Sequence, residues 1–346
     1  MDVTLYIQPF ITSFLLCSFF IFALLRVFRH IHVSNVRVEK RHDSARARVS
    51  RFGGVACIFA TFITLLFDSH LILTYSWWGI MLVSVAILIF GIMDDIVELS
   101  WQKQLLFQVL LGCIAFLFHI RLTSLKIPFH DAIFLDVGGV YMMISCLLTI
   151  AWILFVMNAI NWSDGLDGIC GGISCIAFAT IFFVSLYPEV NQPPMAIYAI
   201  SLVGASLAFL IFNFYPARIV AGTSGAWFFG FSLASLAIFS GTKIATAILV
   251  LIIPLIDALW VMFERFVSGT SLFQADMRHL HHRLQKIGWS TQKISLFYYG
   301  ATMSIAAVAL HINAYQKVLF LVVLFIAVAL FFLWIQRVSK SLSLKP

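Results

Sequence analysis

Long apolar runs broken by short polar stretches pattern the chain from end to end. A helix that crosses a bilayer needs about 20 apolar residues. Runs of that character lie at 4–25, 53–70, 77–93, 105–120, 141–157, 169–187, 195–212, 225–240, 244–263, 294–312 and 317–336. They predict an all-α, polytopic integral membrane protein with about eleven transmembrane helices. No Met-Lys/Arg opening and no small-residue cleavage site precede the first run, so it reads as a retained helix and not as a removed signal peptide. Two polar stretches are long enough to carry structure of their own. One is 27–52, ending in Ser50-Arg51-Phe52-Gly53-Gly54, and the other is 265–293. Segment 121–140 reads as a short hairpin or amphipathic piece without recognisable chemistry. With no Gly/Ser or Pro linker, residues 1–346 form one expected membrane-embedded domain. No internal repeat stands out, which weighs against a transporter because many transporter folds carry one.

Composition agrees with this pattern: 62% of residues are hydrophobic and 11% charged, where a soluble domain carries about 25% charged residues. Basic residues set the expected orientation. If 26–52 faces the cytoplasm, 18 of the 22 Lys and Arg residues fall on that side. The N-terminus is then outside, the C-terminus is cytoplasmic, and Asp94, Asp95, Asp164, Asp167 and His279 to His282 share the cytoplasmic face. The net charge of +7 therefore reads as positive-inside bias, with anionic lipid or an anionic substrate as partner and no nucleic acid. The six cysteines lie in or at the edges of apolar runs and form no Cys-x-x-Cys pair. They indicate neither a zinc site nor a disulfide framework.

Acids at the mouths of these runs need a reason, because an aspartate deep in a membrane helix costs roughly 2.5–3.5 kcal/mol. Gly91-Ile-Met-Asp94-Asp95 closes one run and Asn158-Ala-Ile-Asn161-Trp-Ser-Asp164-Gly165-Leu-Asp167-Gly168 closes another. Polar helix caps are the plain alternative. Two carboxylates held close favour a cation between them, and an oxygen-rich, thiolate-free set suits Mg²⁺ or Mn²⁺. Asp164 and Asp167 share a face if helical, but Gly165 and Gly168 argue for an irregular turn close to a ligand. In Asp276-Met-Arg278-His279-Leu-His281-His282-Arg283 the spacing differs from that of a zinc-protease helix. The imidazoles, Arg278 and Arg283 can instead offer donors to a phosphate, or form a solvated basic face. Small residues from Gly222 to Gly225 can expose backbone N–H groups to an anion or mark a plain turn.

In this order the elements resemble the polyprenyl-phosphate N-acetylhexosamine-1-phosphate transferase family (glycosyltransferase family 4), over about residues 35–290. The matching elements are Gly91 to Asp95, Asn158 to Gly168, Asn213-x-x-Pro216-Ala217, Pro254-x-x-Asp257 followed by Arg265, and His279-Leu-His281-His282. The His element resembles the branch using N-acetylglucosamine or related amino sugars, and is less like the muramoyl-pentapeptide branch with its three consecutive histidines. The resemblance implies a multi-pass enzyme of the bacterial inner membrane with its active site on the cytoplasmic face. It would transfer an N-acetylated amino-sugar 1-phosphate from a UDP-sugar to undecaprenyl phosphate with release of UMP, initiating cell-surface polysaccharide synthesis. It implies catalytic roles for Asp94 and Asp95, and metal binding, Mg²⁺ with Mn²⁺ as a substitute, by Asn161, Asp164 and Asp167. Substrate contacts would come from Asn158, Arg51, Asn213, Arg265, His279, His281 and His282. Family members often pair, so a homodimer is an expectation.

Two departures stand out. The family has Gly-Asp-x-Gly-Ser after the Pro-Ala lead-in, and here Thr223 takes the place of that Asp, held to be a magnesium ligand. The basic residues usual shortly after the acid pair are replaced by Gln102 and Gln104, with Lys103 between them. Three readings stay open: an active transferase whose other carboxylates rebuild the metal site, an impaired relative that still binds lipid phosphate or nucleotide sugar, and a transporter. Asp94→Asn should abolish UMP release in the first case.

Overall fold

Every apolar run of the sequence contains a helix in the computed structural model, which describes residues 4–31, 49–72, 74–125, 132–239, 244–271 and 277–343. In chain order the helices begin α1 (Thr4–Ile31), α2 (Gly53–Leu66), α3 (Tyr75–Val97) and α4 (Trp101–Leu117). A two-stranded hairpin, β1 (Ser124–Leu125) and β2 (Ile133–Phe134), precedes α5 (Gly139–Ser163), α6 (Ile169–Ser185), α7 (Pro193–Asn213) and α8 (Gly222–Phe239). The chain ends with α9 (Ile244–Val250), α10 (Ile252–Val267), α11 (Leu280–Lys286), α12 (Thr291–His311) and α13 (Ala314–Ser343). Most of 27–52, Lys126 to Asp131, Lys243 and Asp276 lie outside the described residues.

Among the described residues seven helices are long and apolar enough to cross a membrane: α1, α3, α5, α7, α8, α12 and α13. The α9–α10 pair makes an eighth if taken as one broken span. The remaining runs form the shorter helices α2, α4 and α6, of 14, 17 and 17 residues. At about 1.5 Å per residue they fall short of a hydrocarbon core about 30 Å thick. The chain is thus a multi-pass membrane protein. The expected continuous run 244–263 is corrected: it breaks between α9 and α10 with a 75° bend. Pro254 is the physical cause, because its ring collides with the carbonyl of residue 250 and it supplies no N–H. The expected hairpin is present, pairing Ser124 with Phe134 and Leu125 with Ile133 antiparallel. It is moored to α5 by Thr149 Oγ1, which accepts from Leu122 N, and Ser145 Oγ, which donates to Leu122 O.

Helix α8 forms the axis, with nearly all of its residues buried against α2, α3, α5 and α6. Small residues make that density possible, as expected where helices gain little from hydrophobicity and associate by close packing. A Cβ on Gly54 would overlap the backbone of Gly225, so α2 and α8 touch main chain to main chain. A Cβ on Gly91 would overlap Ser224, so α3 lies equally close. Outward faces remain apolar, as Phe325, Ile326 and Trp334 on α13 illustrate; lipid accepts such a surface.

Candidate functional site

Polar side chains gather at one end of this bundle, where α3, α5, α7 and α10 finish and α2, α4, α6, α8 and α12 begin. The close approach at Gly91 brings the last turn of α3 against the first turn of α8. Asp95, 3% exposed, accepts from Thr223 N at 2.9 Å and more distantly from Ser224 N at 3.5 Å. These are orphan donors of a helix start, capped by a carboxylate from another helix and aligned with the positive end of its dipole. Gly222, at φ +69, leaves no room for a side chain, since a Cβ would overlap Arg51 O and crowd Asp95 Oδ2. The Arg51 charge is close enough to act on Asp95. Arg51 itself follows Ser50, which bridges in parallel to Ile219.

Asp94, 7% exposed, receives three neutral donors. Gln104 Nε2 at 2.8 Å and Leu99 N at 3.0 Å reach Oδ1, and Thr223 Oγ1 at 2.6 Å reaches Oδ2. Gln104 also lines a small open cleft with Trp101, Leu105, Gln108, Asn158 and Trp162. The α4 members of that set recur at helical spacing and so share one face. Asn158 and Gln108 pair amide to amide across the cleft, at 2.7 and 3.2 Å.

The second acid element is a turn, as its glycines predict. Helix α5 ends at Ser163, α6 begins at Ile169, and Gly168 sits between them at φ +82. The turn is braced on all sides. Asp167 Oδ2 accepts from Ala217 N at 3.1 Å, while Ser295 Oγ and Tyr299 Oη donate to the carbonyls of Asp167 and Gly168. Asn213, expected among the substrate contacts, is fully buried. Its Oδ1 accepts from Gly168 N and its Nδ2 donates to Ile219 O, so it ties the acid turn to the strand-like segment before α8. Asn161 contributes its carbonyl to Asp164 N at the end of α5.

The histidines close over this turn. A Cβ on Gly165 would overlap His281 Nε2, so the imidazole lies directly on the glycine. The His279 and His281 rings stack at 5.8 Å and 3°, with His282 4.2 Å beyond His281. Asp257 holds the element, bonding His279 Nδ1 and accepting from Leu280 N, each at 2.9 Å. Trp162 lies 5.8 Å from the His279 ring, and the Arg265 guanidinium stands 5.9 Å over Trp162. Arg283, expected to offer donors to a phosphate, pairs with Glu264. Glu264 also accepts from Trp260 and Gln336; this set knits α10, α11 and α13 together.

The contacts run in a ring: Asp94 to Gln104, the cleft to Trp162, Trp162 to His279, His281 to Gly165, Asp167 to Ala217, and Thr223 back to both acids. Sequence reasoning missed the roles of Gln104, Asp257 and Trp162. The Pro-x-x-Asp spacing was the one available signal for Asp257. Among the described residues no three His, Cys, Asp or Glu side chains form a ready-made metal cluster. The donor set still fits Mg²⁺, which is commonly held by one or two carboxylates together with substrate phosphates, and the buried adjacent carboxylates Asp94 and Asp95 are of that type.

A helical membrane protein with a carboxylate-rich, histidine-closed polar end is what fold and site define. The profile of glycosyl transferase family 4 matches residues 77–241. The chain is 30% identical over 282 residues to a probable undecaprenyl-phosphate N-acetylglucosaminyl 1-phosphate transferase of Bacillus subtilis, covering 79% of this chain and 75% of that protein. It is 29% identical over 313 residues to a phospho-N-acetylmuramoyl-pentapeptide-transferase of Lactobacillus gasseri (84% and 93% covered). Identity to the corresponding transferase of Bacillus pumilus is 25% over 325 residues (89% and 97%). The chain belongs to glycosyl transferase family 4, the polyprenyl-phosphate sugar-1-phosphate transferases.

Proposed function

We propose that the chain transfers an N-acetylated amino-sugar 1-phosphate from a UDP-sugar to undecaprenyl phosphate, as the first committed step of a cell-surface polysaccharide. A lipid phosphate oxygen forms a bond to the phosphorus nearest the sugar. The bond from that phosphorus to the bridging oxygen breaks, and UMP leaves with the oxygen. The observation that carries the reading is the ring of contacts joining the acid pair, the acid turn and the histidines at one end of the bundle. The Bacillus subtilis relative's name and the broken His spacing support the N-acetylglucosamine branch.

Nucleophile and electrophile are both anionic, and two unit charges 4 Å apart repel by roughly 4 kcal/mol at an effective dielectric of about 20. Bound Mg²⁺ would supply Lewis-acid charge neutralisation here. Asp94 and Asp95 are its proposed holders, Asp94 also taking the proton of the lipid phosphate. Asn161, Asp164 and Asp167 hold the remaining metal positions or the diphosphate. Arg265, Trp162 and the His279 to His282 element bind phosphate and sugar, while Arg51 and Asn158 flank the acids and the cleft. The proposed frame is one domain over residues 1–346, with the three short helices completing about eleven spans. Its N-terminus is outside, its C-terminus is cytoplasmic, and the site opens at the cytoplasmic face of the inner membrane. Homodimerisation is proposed with it.

The test is purified protein incubated with undecaprenyl phosphate, Mg²⁺ and a panel of UDP-amino sugars. Lipid-dependent UMP release is expected, lost on chelation and reduced at least ~100-fold by Asp94→Asn. Release that survives a chelator overturns the metal assignment. A second reading has one specific observation behind it: among the described residues the donors to Asp94 are neutral. On that reading the chain binds UDP-sugar without turning it over, and saturable binding with no UMP release would select it.

A further inference from the structure

Gln104 and Thr223 stand 119 positions apart, on α4 and α8, yet both donate to the same carboxylate. Gln104 Nε2 reaches Asp94 Oδ1 at 2.8 Å and Thr223 Oγ1 reaches Asp94 Oδ2 at 2.6 Å. Leu99 N completes the set. Two of the three positions at which the chain departs from the family's charged pattern, 104 and 223, therefore meet at one group, from opposite sides, at a residue only 7% exposed. In charge terms these two departures cancel, and Lys103 supplies a cation next to the one lost at Gln102. A carboxylate at 223 would face Asp94 within hydrogen-bonding reach, and a cation at 104 would compensate it. Removing both leaves the local charge unchanged, and replaces ionic restraint by two directional hydrogen bonds to an anion, which are stronger than neutral ones.

We infer that Gln104 and Thr223 are coupled positioning residues, a two-sided neutral clamp that fixes the Asp94 carboxylate and whose halves must change together. Thr223 is then not a degraded metal ligand, and restoring Asp there alone damages the site. The inference deepens the transferase reading and rests on it for its kinetic consequence, though not for its energetic one.

The test has two arms. In the first, thermal midpoints in detergent are measured for wild type, Thr223→Asp, Gln104→Arg and the double variant, with no turnover required. Each single variant is expected to lose at least ~3 °C and the double to recover most of that loss. Additive losses, within the scatter normal for independent sites, overturn the clamp. In the second arm, Thr223→Val is expected to lower kcat about 10-fold or more, since a bond to a charged group is lost, with KM for the UDP-sugar within about 2-fold. Thr223→Ser, which keeps the hydroxyl, restores kcat. A Thr223→Asp variant faster than wild type, a Ser variant as slow as Val, or a loss expressed in KM overturns the positioning role. Absence of transfer by wild type with every UDP-amino sugar refutes the proposed function instead, and leaves the thermal cycle to judge the clamp.

Discussion

At Gly165 the imidazole of His281 occupies the space a side chain would need. One missing methyl group thus joins segments more than 100 residues apart. Gly165→Ala is expected to displace the His element and lower transfer at least ~10-fold, with a smaller effect on thermal stability. Unchanged kinetics in the UMP assay would separate the His element from the reaction. Asp257 makes a complementary case. It is 4% exposed and holds both His279 Nδ1 and Leu280 N. Asp257→Ala strands two buried donors at about 1–3 kcal/mol each, readable as a lower thermal midpoint, and Asp257→Asn should recover part of it. These residue-scale roles were only partly legible in sequence. The turn at 164–168 could be read from Gly165 and Gly168, because glycine in such a position has few other reasons. Gln104 could not be assigned, since it looks like any polar residue at a helix start. The bond to Asp94 exists only once α3 and α4 are folded back on one another.

At the scale of elements, apolar run length found every helix but the short polar α11, because in lipid a backbone must satisfy itself internally. The same signal could not tell a full span from a short one. Helices α2, α4 and α6 read as longer runs whose last residues lie beyond the helix ends. The bend between α9 and α10 was written in Pro254, but run length alone drew one straight span. Glycines argue the packing. Gly91→Ala would push α3 off α8 at Ser224 and separate Asp95 from the helix start it caps. A thermal midpoint several degrees lower and a loss of transfer are expected together. Gly300 on α12 has open space about it, and Gly300→Ala should be neutral or stabilising by up to ~1 kcal/mol. If both substitutions behave alike, close helix approach is not what Gly91 provides.

For the molecule as a whole, the polar end carries the acids, the histidines and Arg51, while the hairpin lies at the opposite ends of the same helices. The proposed orientation, argued from basic-residue bias, puts that polar end in the cytoplasm. Cysteines placed at Ser290 and Ile133 in a cysteine-free background should be labelled from opposite sides of intact cells and inverted vesicles. Labelling of both from one side would overturn the proposed sidedness. What was legible at this level was the multi-pass character, written in the long apolar runs; the proposed sidedness rests on the eighteen cations counted on alternate loops.

An aspartate that finishes one helix while sealing the start of another makes the seal an indicator. Any ligand that draws the Asp95 oxygens toward itself must loosen their grip on the amides of Thr223 and Ser224. Those two protons should then trade with deuterated solvent faster in the occupied protein than in the empty one, the reverse of the protection that ligands usually confer. Occupancy at this end of the bundle would thus be visible as a quickening, at two peptide groups, before any sugar has moved.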